Sequence, residues 1–169
     1  MADITKMYHG SSWNDTRGGA DGILQAHSSE THWNSQSRGA FNNIVNLTVD
    51  IGDAEDYMMA STFDLGFPGI LFEVDASQLD PDKLRPNDLV SWGLIDKGYP
   101  EDGRLWTKEM IKIGVDYSLE TAGYLSYEGT IKNEITQITR ISKSQTGEEI
   151  REQFRPHSPE HIAAIMSIP

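Results

Sequence analysis

Tyr8-His9-Gly10-Ser11 puts an imidazole beside a glycine at the end of a short, partly apolar segment. An imidazole there can hydrogen-bond a ligand hydroxyl, and a glycine lets the backbone approach a ligand closely. Asn46 and Thr48 lie two residues apart, so a strand carrying both presents them on one face. Tyr57 follows Asn46 by eleven residues and offers a ring for stacking. The plain alternatives are an ordinary histidine at position 9 and a core-packing ring at position 57. No carboxylate stands out from composition, because the chain holds 26 Asp and Glu.

Other chemistries find no support. His27 and His32 are five apart, and Pro159 separates His157 from His161; neither pair has supporting metal ligands. The run from Asp50 carries part of a calcium-loop pattern, but its sixth position is Glu55 rather than glycine and its twelfth is Ser61. There is no Gly-x-x-x-x-Gly-Lys and no Gly-x-Ser-x-Gly. With no cysteine, disulfides, thiolate–zinc sites and thiol nucleophiles are excluded together. Trp13, Trp33, Trp92 and Trp106 read as core or rim residues rather than a stacking platform for bases.

The elements that must position these residues follow from periodicity. Ile4 to Ser11 reads as a strand, Ser12 to Gly22 as a loop, and the polar stretch 27–43 has no clear assignment. In Asn43 to Val49, alternation puts Val45, Leu47 and Val49 toward the core and Ile44, Asn46 and Thr48 on the other face. Asp53 reads as a helix N-cap, with Glu55 and Asp56 in the first turn; Ala54, Tyr57, Met58 and Ser61 form one face of that helix. Gly69 to Asp75 is a strand with Ile70, Phe72 and Val74 on one face, and Pro81, Pro86 and Asn87-Asp88 mark a long connection. Leu105 to Ile113 reads as a short helix stopped at Gly114. Tyr124 to Ile131 and Ile135 to Ile141 read as strands, the second complicated by isoleucines at spacing three. Ser158-Pro159 looks like the start of a terminal helix. The expected fold class is α+β, with a domain over 1–141 and a helical C-terminal extension over 142–169.

At 169 residues the chain is long enough for a core without covalent staples. Its formal charge of −12 argues against direct nucleic-acid binding and against an anionic membrane surface, and favours a basic partner. No run is long and apolar enough for a membrane span, and the N-terminus has no secretory pattern, so a cytoplasmic protein is expected.

Tyr8-His9-Gly10-Ser11 followed by Gly22-Ile23-Leu24-Gln25-Ala26 resembles the opening of the ADP-ribosyltransferase superfamily. The resemblance continues through Asn46-Leu47-Thr48, the Ala54 to Tyr57 segment and the strand running into Leu79-Asp80-Pro81-Asp82. It extends to Ser118-Leu119-Glu120 and to Tyr127-Glu128-Gly129-Thr130-Ile131. It covers residues 7–141 and rests on order and spacing rather than on one diagnostic motif. It implies a split antiparallel sheet, NAD as substrate, and transfer of ADP-ribose through an oxocarbenium-like ribose after nicotinamide departs. It also implies roles. His9 would hold the adenosine-side ribose, Gly10 would admit the nicotinamide amide, and Asn46 and Thr48 would line the cleft.

The family commonly stacks nicotinamide between a tyrosine at the position of Asn46 and another at that of Tyr57, so here one ring of the two remains. The third motif implies a carboxylate on the ribose 2′-hydroxyl. Glu120 is favoured, Glu128 second, Glu134 after both. The leading expectation is therefore an NAD-dependent mono-ADP-ribosyltransferase of compact prokaryotic or phage type. Its acceptor would be a protein, suited by charge to be a basic nucleic-acid-handling one, in an anti-defence (anti-CRISPR) or host-takeover role. Two alternatives stay open. One is an RNA 2′-phosphotransferase-like or nucleic-acid-modifying relative, for which Arg17, Arg38 and Arg104 are only scattered basic groups. The other is a non-catalytic acidic binding or inhibitor module on the same fold.

Overall fold

The computed structural model describes residues 4–12, 44–65, 69–131, 135–144 and 146–154. The expectations placed on the loop after Ser12, residues 23–43, Glu134 and the Ser158-Pro159 helix start lie outside the described residues. The described chain is α+β. Seven strands form one antiparallel sheet in the order β4-β5-β2-β1-β3-β6-β7. They are β1 (Lys6–Ser12), β2 (Ile44–Thr48), β3 (Gly69–Asp75), β4 (Leu84–Pro86), β5 (Tyr124–Glu128), β6 (Thr136–Lys143) and β7 (Glu149–Phe154). The helices are α1 (Ile51–Leu65), α2 (Ser91–Asp96) and α3 (Lys108–Ala122).

One helix covers each face of the sheet. On the first face, Met7, Val45, Leu47, Phe72, Val74, Leu125, Tyr127 and Ile138 form the main core with Val115 of α3. On the second, Leu71 and Ile141 pack with Ala54 and Met58 of α1. This explains why GILFEVD is apolar almost throughout: Ile70, Phe72 and Val74 serve one face while Leu71 serves the other. It also explains the isoleucines at spacing three. On a strand an odd spacing alternates faces, so Ile138 enters the main core and Ile141 the cluster under α1.

The expected split of the sheet takes the form of a seam within a continuous sheet. β1 and β3 share register from Lys6↔Asp75 to Ser12↔Gly69, whereas β1 and β2 share the single pair Tyr8↔Thr48. β2 is then fully paired with β5, from Ile44↔Glu128 to Thr48↔Tyr124.

Several local expectations need correction. Asp50, not Asp53, caps α1: its Oδ1 accepts from the Gly52 N–H at 2.7 Å, and its carbonyl accepts the Ala54 N–H at 3.3 Å. Val49 is exposed because the chain leaves β2 at Thr48 and turns into the helix. Tyr57 is exposed rather than packed in the core, although its neighbours Ala54 and Met58 are buried; the side chain of Ser61 lies outside the described set. The helix expected over Leu105–Ile113 starts later and runs through Gly114 to Ala122. Thr107 caps it by accepting from the Met110 N–H at 3.2 Å, and Gly123, at φ 72°, ends it in the left-handed conformation glycine favours. The long connection holds β4, α2 and short 3-10 turns capped by Asp75, Asp80, Asn87 and Asp102. The segment expected as a helical extension begins instead with the end of β6 and with β7, a hairpin partner of β6 from Ile138↔Phe154 to Lys143↔Glu149.

Candidate functional site along the β5-β2-β1 strands

β1 carries His9 to the seam. Its Nδ1 lies 2.7 Å from the Asn46 carbonyl oxygen of β2. A carbonyl can only accept, so Nδ1 donates the proton, and in the neutral ring Nε2 is the acceptor nitrogen. The imidazole leans on Phe72, with centroids 6.0 Å apart and planes at 53°. Strand alternation then directs Gly10 to the other face, toward α1. A Cβ at Gly10 would meet the Ala54 carbonyl carbon and Met58 Cβ at 2.9 Å and the Ala54 carbonyl oxygen closer still. The glycine expected to admit a ligand amide thus admits the backbone of α1, one turn before Tyr57.

Asn46 is the hub of a buried polar network. Its Oδ1 accepts from Ser126 Oγ of β5 at 2.8 Å and from Asn87 Nδ2 at 3.1 Å. Asn87 Oδ1 accepts the Leu89 N–H at 3.1 Å, and its own N–H donates to Ser118 Oγ of α3 at 3.0 Å. Ser118 Oγ donates in turn to the Tyr124 carbonyl at 2.7 Å. Asn87, Ser118 and Ser126 are buried, so these bonds satisfy groups whose exposure to an apolar surrounding would otherwise be costly. Asn46 therefore joins β2, β5 and the β4–α2 connection as well as lying beside His9.

Thr48 lies on Asn46's face, as alternation predicts, and is buried. Its Oγ1 accepts the Asp50 N–H at 3.1 Å. Burial, with Asp53 next, pushes the Tyr124 phenol above its ordinary pKa.

The two favoured glutamates stand apart from this cluster. Glu120 is exposed near the C-terminal end of α3, the helix on the face opposite α1. Glu128 does alternate with Tyr124 and Ser126 on β5, and it is bound by Arg85 of β4 at 2.5 Å. The Arg85 guanidinium is itself anchored on the Asp82 and Leu84 carbonyls at 2.7 and 2.8 Å. Asn87 and Arg85 were not legible as site-shaping residues. Ser126 had a signal in its alternation with Tyr124 and Glu128, whereas Asn87 resembled only a turn former. Among the described residues, no three acidic or histidine side chains converge on a metal position, and no helix is long and apolar enough to cross a membrane.

No protein-family model matches the chain, and no curated protein matches its sequence. Among solved structures it is similar to a chain called EcPltA, with a TM-score of 0.54 and 9% identity over 93% of this chain and 88% of that one. At that identity the likeness is one of fold.

Proposed function

We propose that the chain is an NAD-dependent mono-ADP-ribosyltransferase acting on a protein. One observation carries the reading. Three of the segments that resemble the family's motifs, Tyr8-His9-Gly10-Ser11, Asn46-Leu47-Thr48 and Tyr127-Glu128, are remote in sequence yet occupy adjacent strands, in the order β5-β2-β1, with His9 hydrogen-bonded to the Asn46 carbonyl of β2. On this reading His9 Nε2 accepts from the adenosine-side ribose, because Nδ1 is committed to that carbonyl. Tyr57, exposed on α1, is the ring that covers nicotinamide. Nicotinamide is a good leaving group, so the protein's work is positioning and stabilisation of positive charge at the ribose. The charge of −12 suits a basic acceptor, such as a nucleic-acid-handling protein in a host-takeover or anti-defence setting.

The test is incubation with labelled NAD and cell lysate. Label moves to protein with the wild-type chain, and His9→Ala weakens NAD binding measured by calorimetry. Absence of both label transfer and NAD binding by the wild type removes the reading. A second reading, a non-catalytic acidic binding module, is favoured by two observations: Asn46 is locked in a structural network, and Glu128 is held by Arg85. It requires that partner binding persist unchanged in His9→Ala.

A further inference from the structure

The outer side of the α2–α3 junction is apolar where a surface helix is ordinarily polar. Leu89 and Trp92 are 69% and 57% exposed, and a spacing of three puts them on one side of the turn that runs from Asp88 into α2. Gly93 follows Leu89 by four residues, and a Cβ there would lie 2.8 Å from the Tyr117 hydroxyl oxygen of α3. Tyr117 therefore lies against the α2 backbone and bridges the two helices. Ile113, 53% exposed, stands one turn before Tyr117 on α3. Leu89, Trp92, Tyr117 and Ile113 thus make one stretch of surface rather than scattered side chains, and such stretches mark interaction sites. Beneath them Val90 and Leu94 pack with Trp106, Tyr99 and Met110, so the stretch rests on a fixed base.

The charge around it has one dominant sign. Residues 88–120 hold seven Asp and Glu against four Lys and Arg. Asp96 lies four residues after Trp92, Glu109 four before Ile113, Asp116 three after Ile113, and Glu120 three after Tyr117. Among the described residues none of these four carboxylates joins an ion pair. Two of the cations are already engaged: Lys97 Nζ sits 3.6 Å from the centroid of the Tyr117 ring, and Arg104 pairs with Asp102 at 2.7 Å. Two copies of the chain meeting through this side would bring like charges together. We infer that the Leu89–Trp92–Tyr117–Ile113 surface docks a basic amphipathic helix of a partner protein. The partner's apolar residues, spaced three and four apart, cover Leu89, Trp92 and Ile113, and its flanking Lys and Arg face Asp96, Glu109, Asp116 and Glu120. The exposed indole of Trp92 is the main anchor, and the carboxylates steer the encounter. The surface serves an enzyme or a binding module alike, and no NAD chemistry enters it.

Calorimetry of the full chain with a synthetic amphipathic helix of leucine and lysine, and with its counterpart of leucine and glutamate, tests this. The wild type binds the lysine helix and not the glutamate one. Leu89→Ser with Trp92→Ser weakens binding at least roughly tenfold, the scale of one anchor residue. Asp96→Asn with Asp116→Asn weakens it and flattens its dependence on salt. Ile150→Ser, exposed on β7, leaves both unchanged. If thermal melting shows the Leu89→Ser, Trp92→Ser chain unfolded, Ile113→Ser decides in its place. A wild type that fails to bind the lysine helix overturns the inference. Undiminished affinity in the folded Leu89→Ser, Trp92→Ser chain assigns the binding to overall charge and overturns it as well. A wild type that sediments as a dimer, and as a monomer once Leu89 and Trp92 are replaced, gives the surface to a second copy and overturns the basic partner.

Discussion

Two helices of equal length cover opposite faces of one sheet and do so by different means. α3 brings Val115 into the main core, flanked by Ile111 and Leu119, and it sets Gly114 so close to Pro86 and Leu94 that an added Cβ would be tight against both side chains. α1 buries a much smaller set, Ala54 and Met58 against Leu71 and Ile141, and reaches the sheet by backbone contact at Gly10. The first arrangement spends its helix on the core. The second holds a helix close while leaving Asp53 and Tyr57 exposed, and that is the arrangement a binding face requires.

Breaking the close approach has the largest expected effect. Gly10→Ala forces α1 or β1 to move, because the clash is with backbone, and it destabilises the fold by about 3 kcal/mol, read from the denaturant midpoint. Asn87→Ala comes next. Asn87 links α3, through Ser118, to the face that carries Asn46 and Ser126. Its loss strips a donor from the Asn46 amide and costs about 2 kcal/mol, with the midpoint falling and the slope unchanged. Gly114→Ala is the counterpart of Gly10→Ala on the other helix. A Cβ there meets the flexible edges of Pro86 and Leu94 at 3.2 and 3.3 Å. Helix propensity favours alanine by about 1 kcal/mol, so the net change stays within about 1 kcal/mol. Equal costs at the two glycines would erase the contrast between the helices.

The smallest effect is a pH dependence. Burial raises Tyr99, packed edge-on to Trp106, with Glu109 adding to it, and burial and Asp53 raise Tyr124. A phenol whose folded pKa exceeds its unfolded value favours the folded state below the unfolded value and loses that contribution as pH rises through the folded one. Thermal stability therefore falls above about pH 10. Tyr124→Phe and Tyr99→Phe each remove part of that alkaline loss, on the α1 side and the α3 side respectively.

Much of this was legible from alternation. β3 spans the residues periodicity assigns to it, and Thr48 and Asn46 share a face as expected. The errors have local causes. Gly114 imitates a helix stop, but tertiary packing uses it as a thin spot inside α3, and the true stop is the left-handed Gly123. Asp53 imitates a cap because the real cap, Asp50, is followed by Ile51 and Gly52, a weak helical start that the sheet and Gly10 stabilise from outside. The extension reads as helix from Ser158-Pro159, outside the described residues; in its described part β7 pairs with β6 and is tied to α1 by the Arg151–Glu55 ion pair at 2.6 Å. For the site, His9 and Tyr57 carried signals in sequence. The bonds that join Asn87, Ser118 and Ser126 into a network did not, because they depend on which segments meet over the sheet.

The single pair between β1 and β2 also divides the molecule by how readily it opens. On one edge β1 is laddered to β3 along its whole length, and on the other it meets β2 at Tyr8↔Thr48, helped by His9 and the overlying α1. Amide hydrogens of β1 directed at β3 are expected to exchange with solvent at the slow rates of the core, which hydrogen-exchange measurement checks. Those directed at β2 are expected to exchange sooner, through a local parting at the single Tyr8↔Thr48 pair. Two boards, β4-β5-β2 and β1-β3-β6-β7, thus share one hinge line.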